Sequence, residues 1–339
     1  MIDKISKEVL FEPAGRNLFE NILSLRKLLA RLDVPFGEND SVGIKIHWGE
    51  RGNHSFLPPD YTAEIVEWVK SFGAKPFVFD TTVLYSGGRR DGADSLETAA
   101  EHGFTEENIG CPLVIADGLD GRDVVDVPSN LKHFETVQVA SVIYKADGFV
   151  IFSHFKGHLE AGFGGAIKNI SMGFASRAQK QRIHSDAYPV LKKEKCIKCG
   201  NCKDVCPVGA VSIDSENFPI FDLEKCIGCA QCIALCPAVA LKIFWNTDSQ
   251  TFQEKLAETA LAIWKIIERK TVLINAAVKI TKDCDCMPGK NEFIANDVGF
   301  FGGYDPFEID RKTIEKLGEN IIDSAHSNIL WRVQFSKIF

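Results

Sequence analysis

No stretch of this sequence is apolar for long enough to cross a bilayer. The opening residues, MIDKISKEVLF, hold neither the basic region nor the apolar core of an export signal. No membrane association is therefore expected, and a cytoplasmic setting is. Basic charge is also short: 39 Lys and Arg stand against 46 Asp and Glu, a net charge of −7, which argues against a nucleic-acid partner. The glycines at 162–165 form neither a Walker loop nor a dinucleotide fingerprint, so by themselves they are a weak phosphate signal. With 339 residues the chain has room for two or three compact units.

Cysteine is what the chain has in excess, eleven in all. Two runs, Cys196-Cys199-Cys202-Cys206-Pro207 and Cys226-Cys229-Cys232-Cys236-Pro237, repeat the spacing C-x2-C-x2-C-x3-C-P at a fixed offset, that from Cys196 to Cys226. Three thiolates from one tight loop hold three irons of a cubane, and the fourth ligand comes from the other run. One 4Fe–4S cluster is therefore expected on Cys196, Cys199, Cys202 and Cys236, and a second on Cys226, Cys229, Cys232 and Cys206. Structural zinc would call for paired C-x2-C ligands rather than these triplets, and a disulfide knot would need an oxidising compartment.

Around the cysteines the pattern is α/β. Residues 18–32 read as a helix with Leu18, Ile22, Leu25 and Leu29 on one face. SVGIKIH (41–47) reads as a buried strand, and Pro58-Pro59-Asp60 opens a helix with Tyr61, Ile65, Trp68 and Phe72 inward, stopped by Gly73. Further strands are expected at 75–80, 113–116, 134–139 and 149–153, with a short helix at 95–101. After the cysteines come a helix at 252–269, the strand TVLINAAVKI and a closing helix at 307–324. Strands alternating with helices predict a doubly wound, mostly parallel sheet. The expected organisation is an α/β domain whose N-terminal part spans 1–187 and whose C-terminal part spans 246–339. A ferredoxin-like domain carrying two 4Fe–4S clusters is inserted at 188–245, with AVSIDSENFPIFD as its hairpin.

A second centre of chemistry lies in SHFKGHLEAGFGGAIKNISMGFASRAQKQRIHSD. Gly162, Gly164 and Gly165 precede a helix starting near Ala166, where backbone N–H groups can face an anion; the alternative is a tight packing turn. His154, Lys156, His158, Lys168, Arg182 and His184 crowd into this one segment of a chain with only eight histidines. Histidine supplies acid–base chemistry or a metal ligand, lysine a charge or an amine. His47 to Glu50 and Gly52 to His54 follow a strand end, and Ser86-Gly87-Gly88-Arg89-Arg90 could hold an anion with paired guanidinium groups; ordinary polar loops are the alternative for both. Cys284 and Cys286, in DCDCMPG, could ligate a soft metal, act in redox, or be two reduced thiols in a loop.

KIHWGERGNHSFLPP, VLYSGGRR, SHFKGHLEAGFGGAIKNISMG, DCDCMPG and DVGFFGGYDPFEID together resemble the uncharacterised Fe–S-centre protein family, a domain of unknown function with an inserted two-cluster ferredoxin. The resemblance spans nearly the whole chain and implies a redox role without naming a substrate. Locally, H-x3-G-F-G-G-x2-K with a later histidine resembles the segment of the lactate racemase family that holds a nickel-pincer nucleotide. That likeness implies Lys168 as a covalent anchor, His184 as a nickel ligand and His158 as an acid or base. The racemases' Thr-His-Arg run is missing here, VLYSGGRR standing in its place.

The expected function is electron transfer, as an oxidoreductase passing electrons from two 4Fe–4S clusters to a small-molecule substrate or cofactor, which could be a nucleotide, in the α/β domain. His158, Lys168 and His184 would be catalytic, and Gly162, Gly164, Gly165, Arg89 and Arg90 would bind the cofactor. A partner protein or a small-molecule donor would supply the electrons. A non-enzymatic relay or cofactor-handling protein is the rival, and a nucleotide-cofactor isomerase the third reading.

Overall fold

The computed structural model describes residues 8–85, 87–184, 188–226, 228–242 and 247–336. Seven strands make one sheet: β1 (Leu10–Pro13), β2 (Ser41–Lys45), β3 (Lys75–Asp80), β4 (Leu113–Ile115), β5 (Gly148–His154), β6 (Thr271–Ala277) and β7 (Gly299–Gly303). They lie in the order β1-β7-β6-β5-β2-β3-β4. From β6 through β4 every pairing is parallel, while β7 runs antiparallel to both β6 and β1. Ile274 sits opposite Phe152, and Ile44 lies between Val150 and Val78.

Both faces are covered, and the period-two pattern of β5 shows why. Val150 and Phe152 face a core shared with Leu25 and Leu28 of helix α1 (Leu18–Leu29), Ile65 and Val66 of α2 (Pro59–Lys70), and Ala99 of α3 (Gly92–Glu101). Phe149 and Ile151 face the opposite core. There Ile167 and Ile170 of α4 (Ala166–Phe174) meet Leu256 and Ile263 of α6 (Ser249–Ile267) and Ile309 of α7 (Pro306–Leu317). Helix α5 (Arg177–His184) follows α4 directly. Each fully buried aliphatic or aromatic side chain contributes about 1.5–3 kcal/mol, which holds the helices to the sheet.

The expected mixed α/β fold with a parallel-dominated sheet is observed, with local departures. Leu18 is exposed, and the inward stripe of α1 runs through Asn21, Leu25, Leu28 and Leu29. Asn21 is drawn inward because its side-chain oxygen accepts the Gly15 N–H at 2.8 Å. Phe72 falls beyond the end of α2 and is exposed. The expected closing helix is two: Gly318, at φ 102°, ends α7 and begins a second helix at Glu319–Ala325. The strand expected at 134–139 forms at Thr136–Ala140, but pairs antiparallel with Val124–Pro128 outside the main sheet.

The cysteine-rich segment gives no strand to the main sheet among the described residues. It is a small duplicated unit. Short helices at Asn201–Asp204 and Gln231–Ala234 repeat at the offset of the cysteine runs. Left-handed backbone recurs at Lys198 and Gly228, at Gly200 and Ala230, and at Gly209 and Val239. Val211 pairs with Phe221 in the hairpin Val211–Ile213/Pro219–Phe221, and the equivalent positions one repeat away, Leu241 and Leu191, pair with each other. Among the described residues no helix is long and apolar enough to cross a membrane.

Candidate active site

Loops leaving the C-terminal ends of β2, β3, β5 and β6 surround a cavity of about 760 Å³, the end of a parallel sheet where open α/β folds bind ligands. Each loop brings side chains. His47 and Glu50 follow β2, Arg89 follows β3, His158 and Lys168 follow β5, and Cys284 and Cys286 follow β6. The last residues of the strands join them: Lys45 ends β2, Asp80 ends β3 and His154 ends β5.

A buried ion network forms the floor. Lys45 Nζ and Arg89 Nη1 each lie 3.0 Å from an oxygen of Asp80, and Arg89 Nη2 donates to the Tyr85 hydroxyl at 2.7 Å. Burial alone would raise Asp80, but Lys45 and Arg89 hold it down at about 2. Burial lowers Lys45 despite Asp80, and brings Lys180 down to about 8. Glu50 accepts the Gly88 N–H at 2.5 Å and fixes the loop that carries Arg89.

Asp285, fully buried, ties the cysteine loop to β5. His154 Nδ1 and Lys156 Nζ both lie 2.8 Å from its Oδ2, and His154 Nε2 contacts the Val278 carbonyl at 2.9 Å. Burial opposes the charge of Asp285, but His154 and Lys156 override it and pull the carboxyl far below its usual range. On either side of Asp285 the two cysteines enter the cavity. Lys168 Nζ donates to Cys284 Sγ at 3.6 Å, and the Cys286 N–H reaches the same sulfur at 3.4 Å. A separate hydrogen bond from the Cys286 side chain, helped by Lys168, Lys156 and His158 against burial, drops the Cys284 thiol well below its ordinary value. Burial would lower Lys168, but Cys284 and Cys286 keep it above the ordinary ammonium range. His158 is lowered by burial and then by Lys168. Its Nδ1 accepts the N–H groups of Glu160 (3.1 Å) and Ala161 (3.0 Å), which leaves the proton on Nε2.

His158, Lys168 and His184, expected to be catalytic, all line this one cavity; His184 Nδ1 lies 3.0 Å from Glu160 Oε2. The glycine expectation needs correcting. The first amides of α4 already hold a carboxyl group, since Ala166 N–H and Ile167 N–H donate to the two oxygens of Asp310 at 2.7 and 2.9 Å. Gly165 is the residue that lets Asp310 in, a Cβ there falling 2.3 Å from Oδ1. Gly162, at φ +77°, lies against Trp331, and of these three glycines Gly164 and Gly165 border the cavity. Arg89 and Arg90 also do not act as a pair. Arg89 points into the ion network, whereas Arg90 Nη2 donates to the Cys236 carbonyl at 2.8 Å. Ser86 lies outside the described residues. Sequence reasoning missed Lys45, Asp80 and Asp285. A charged residue closing an otherwise apolar strand was the available signal for the first two.

The eight remaining repeat cysteines sit in two groups. One small cavity is lined by Cys206, Cys226, Cys229 and Cys232, the other by Cys196, Cys199, Cys202 and Cys236. None is in a disulfide. Ala210 N–H donates to Cys206 Sγ at 3.1 Å and Ala240 N–H to Cys236 Sγ at 3.3 Å, equivalent bonds in the two repeats. Four thiol donors around each space, with an amide aimed at one sulfur of each set, fit a cubane cluster in chemistry and number.

Residues 42–315 match the family described as "Domain of unknown function (DUF362)". No curated protein matches the chain. Among solved structures, the lactate racemase apoprotein from Thermoanaerobacterium thermosaccharolyticum is similar at TM-score 0.44 and 13% identity, over 92% of this chain and 57% of that one. A structural-genomics protein from Thermotoga maritima is similar at TM-score 0.48 and 10% identity, over 94% of this chain and 61% of that one. The chain thus spans about three fifths of the length of either.

Proposed function

We propose, from the premise that the chain belongs to this DUF362 family, that it is an iron–sulfur oxidoreductase acting on a small molecule held in the 760 Å³ cavity. Residues 188–245 would be a ferredoxin-like unit inserted between the two parts of the α/β domain, 1–187 and 246–339. Its cysteine sets would hold two 4Fe–4S clusters. Bound clusters supply electrons singly, across a wide range of potentials.

The observation that carries this reading is a shared wall. Leu84 borders the cavity and packs on Ala234 and Leu235, and Arg90 of the same loop donates to the carbonyl of Cys236. The segment that ends in Cys236 therefore packs against the wall of the cavity, and a relay that only docked partners would need no such cavity. Within it, His158 holds a proton on Nε2 for delivery to a reduced ligand. Lys168 and the Lys45–Asp80–Arg89 network place positive charge where a ligand gains electrons. A partner protein or small-molecule donor would feed the clusters.

The test is anaerobic purification with metal analysis, intact mass and visible absorption. About eight irons per chain, bleached by dithionite, are expected. Zinc in their place, or iron that does not reduce, defeats the proposal. Nickel together with a mass adduct on Lys168 would turn the reading towards pincer chemistry.

A further inference from the structure

Electron transfer from the clusters to a ligand leaves Cys284 and Cys286 without a role. Both line the cavity, and their sulfurs and one nitrogen of His158 lie within 4.8 Å of one another. Such a trio could grip a soft metal ion, but its surroundings disfavour a cation. Nδ1 of His158 is committed to two backbone N–H groups, so the nitrogen left over carries a proton rather than a free lone pair. The Lys168 ammonium reaches Cys284 Sγ at 3.6 Å and has no carboxylate partner among the described residues. A partly buried ammonium needs an anion beside it, and the thiolate of Cys284 is that anion.

We propose that Cys284 and Cys286 are a redox-active pair, cycling between dithiol and disulfide, with a small-molecule disulfide in the cavity as oxidant. The Cys284 thiolate attacks one sulfur of the ligand. The ligand's S–S bond breaks, a mixed disulfide forms on Cys284, and the other sulfur leaves as a thiolate. The Cys286 thiol gives its proton to that leaving thiolate and then attacks the Cys284 sulfur, which closes the protein disulfide and expels the second ligand thiolate. The ligand gains two electrons and the pair loses two. Return to the thiolate–thiol form takes two electrons and one proton. Two one-electron iron–sulfur carriers match that demand, and only this return step rests on the function proposed above.

The geometry suits the two roles. Cys284 is buried beside Lys168, where a thiolate is held, and Cys286 is partly exposed. The hydrogen bond between them lowers Cys284 and raises Cys286, so the attacking sulfur is ionised while the resolving one keeps its proton. A cavity of this size takes a small molecule rather than a protein loop.

The experiment treats the anaerobically purified holoprotein with oxidised glutathione and reads the peptide containing Cys284 and Cys286 by mass spectrometry, with iron counted in the same sample. A peptide lighter by two hydrogens is expected. Cys286→Ser should stop at a glutathione adduct on Cys284. Lys168→Met should slow alkylation of Cys284 by iodoacetamide at neutral pH by about tenfold or more. Stoichiometric zinc or nickel that Cys284→Ser removes while iron stays would overturn the proposal. So would a peptide unchanged by glutathione disulfide whose Cys284 alkylates with the pH profile of an ordinary thiol. Absence of iron would defeat the iron–sulfur reading and leave the oxidation result standing; an inert pair in an iron-replete protein defeats this inference alone.

Discussion

Asp310 shows how one side chain can settle what a motif is for. It lies on α7, far along the chain from α4, yet its carboxyl accepts from Ala166 N–H, Ile167 N–H and Asn275 Nδ2. Burial outweighs these donors and pushes the carboxyl up to about 7. A folded value above the unfolded one, near 3.9, means that Asp310 contributes most below the unfolded value and loses that contribution as pH rises through about 7. Asp310→Asn keeps one acceptor oxygen but sets an NH2 group against a backbone donor, costing about 1–3 kcal/mol. Urea midpoints measured from pH 5 to 8 should show the gap between wild type and variant narrowing as pH rises. A constant gap would mean that the carboxyl does not titrate in this range.

At the scale of elements, the turn entering α4 divides its glycines by task. Gly162 has left-handed backbone, and a Cβ on it would fall 2.6 Å from the Cβ of Trp331. Gly164 has ordinary backbone, and the nearest atom to its added Cβ is Lys168 Cδ at 3.7 Å. Gly162→Ala should therefore destabilise by about 1–3 kcal/mol, whereas Gly164→Ala should unfold within about 0.5 kcal/mol of wild type. Thermal melts of the two variants check this, and equal losses would mean that the turn tolerates no side chain at either place. The strand and helix positions were largely legible, because β2, β3, β5 and β6 are apolar runs of strand length and α2 opens on Pro59 with its apolar face at helical spacing. The occupant of the α4 N-terminus was not legible, since a glycine turn before a helix reads the same whether it admits a ligand or a distant aspartate.

On the scale of the whole molecule, the cysteine unit and the cavity meet at Leu84 and Arg90. Exchange of the fourth ligand between the two runs predicts an effect at a distance in sequence. On the proposed assignment, Cys206→Ser should weaken a cluster held by Cys226, Cys229 and Cys232 while sparing one held by the set that Cys196 begins. Iron should fall from about eight to about four per chain if the site empties, and loss from the set containing Cys196 instead would reverse the assignment. Ligand identity aside, the cavity unites four loops between His47 and Cys286, and only the closing of β6 against β5 brings Cys284 to Lys168.

Local properties were set by the sequence alone. The C-x2-C-x2-C-x3-C-P spacing and its repeat are matters of short-range geometry, and the same offset reappears in helices, left-handed residues and strand pairs. Hydrophobic period likewise determined where the main strands and helices run. Only the tertiary structure decided which side chains share a site. The order β1-β7-β6-β5-β2-β3-β4 is a choice among pairings of similar apolar strands, and it fixes distances between residues far apart along the chain. Lys45 with Asp80, Asp310 with α4, and Lys168 with Cys284 are consequences of that order, because charge and hydrogen bonding act over a few ångströms of space and not along the chain.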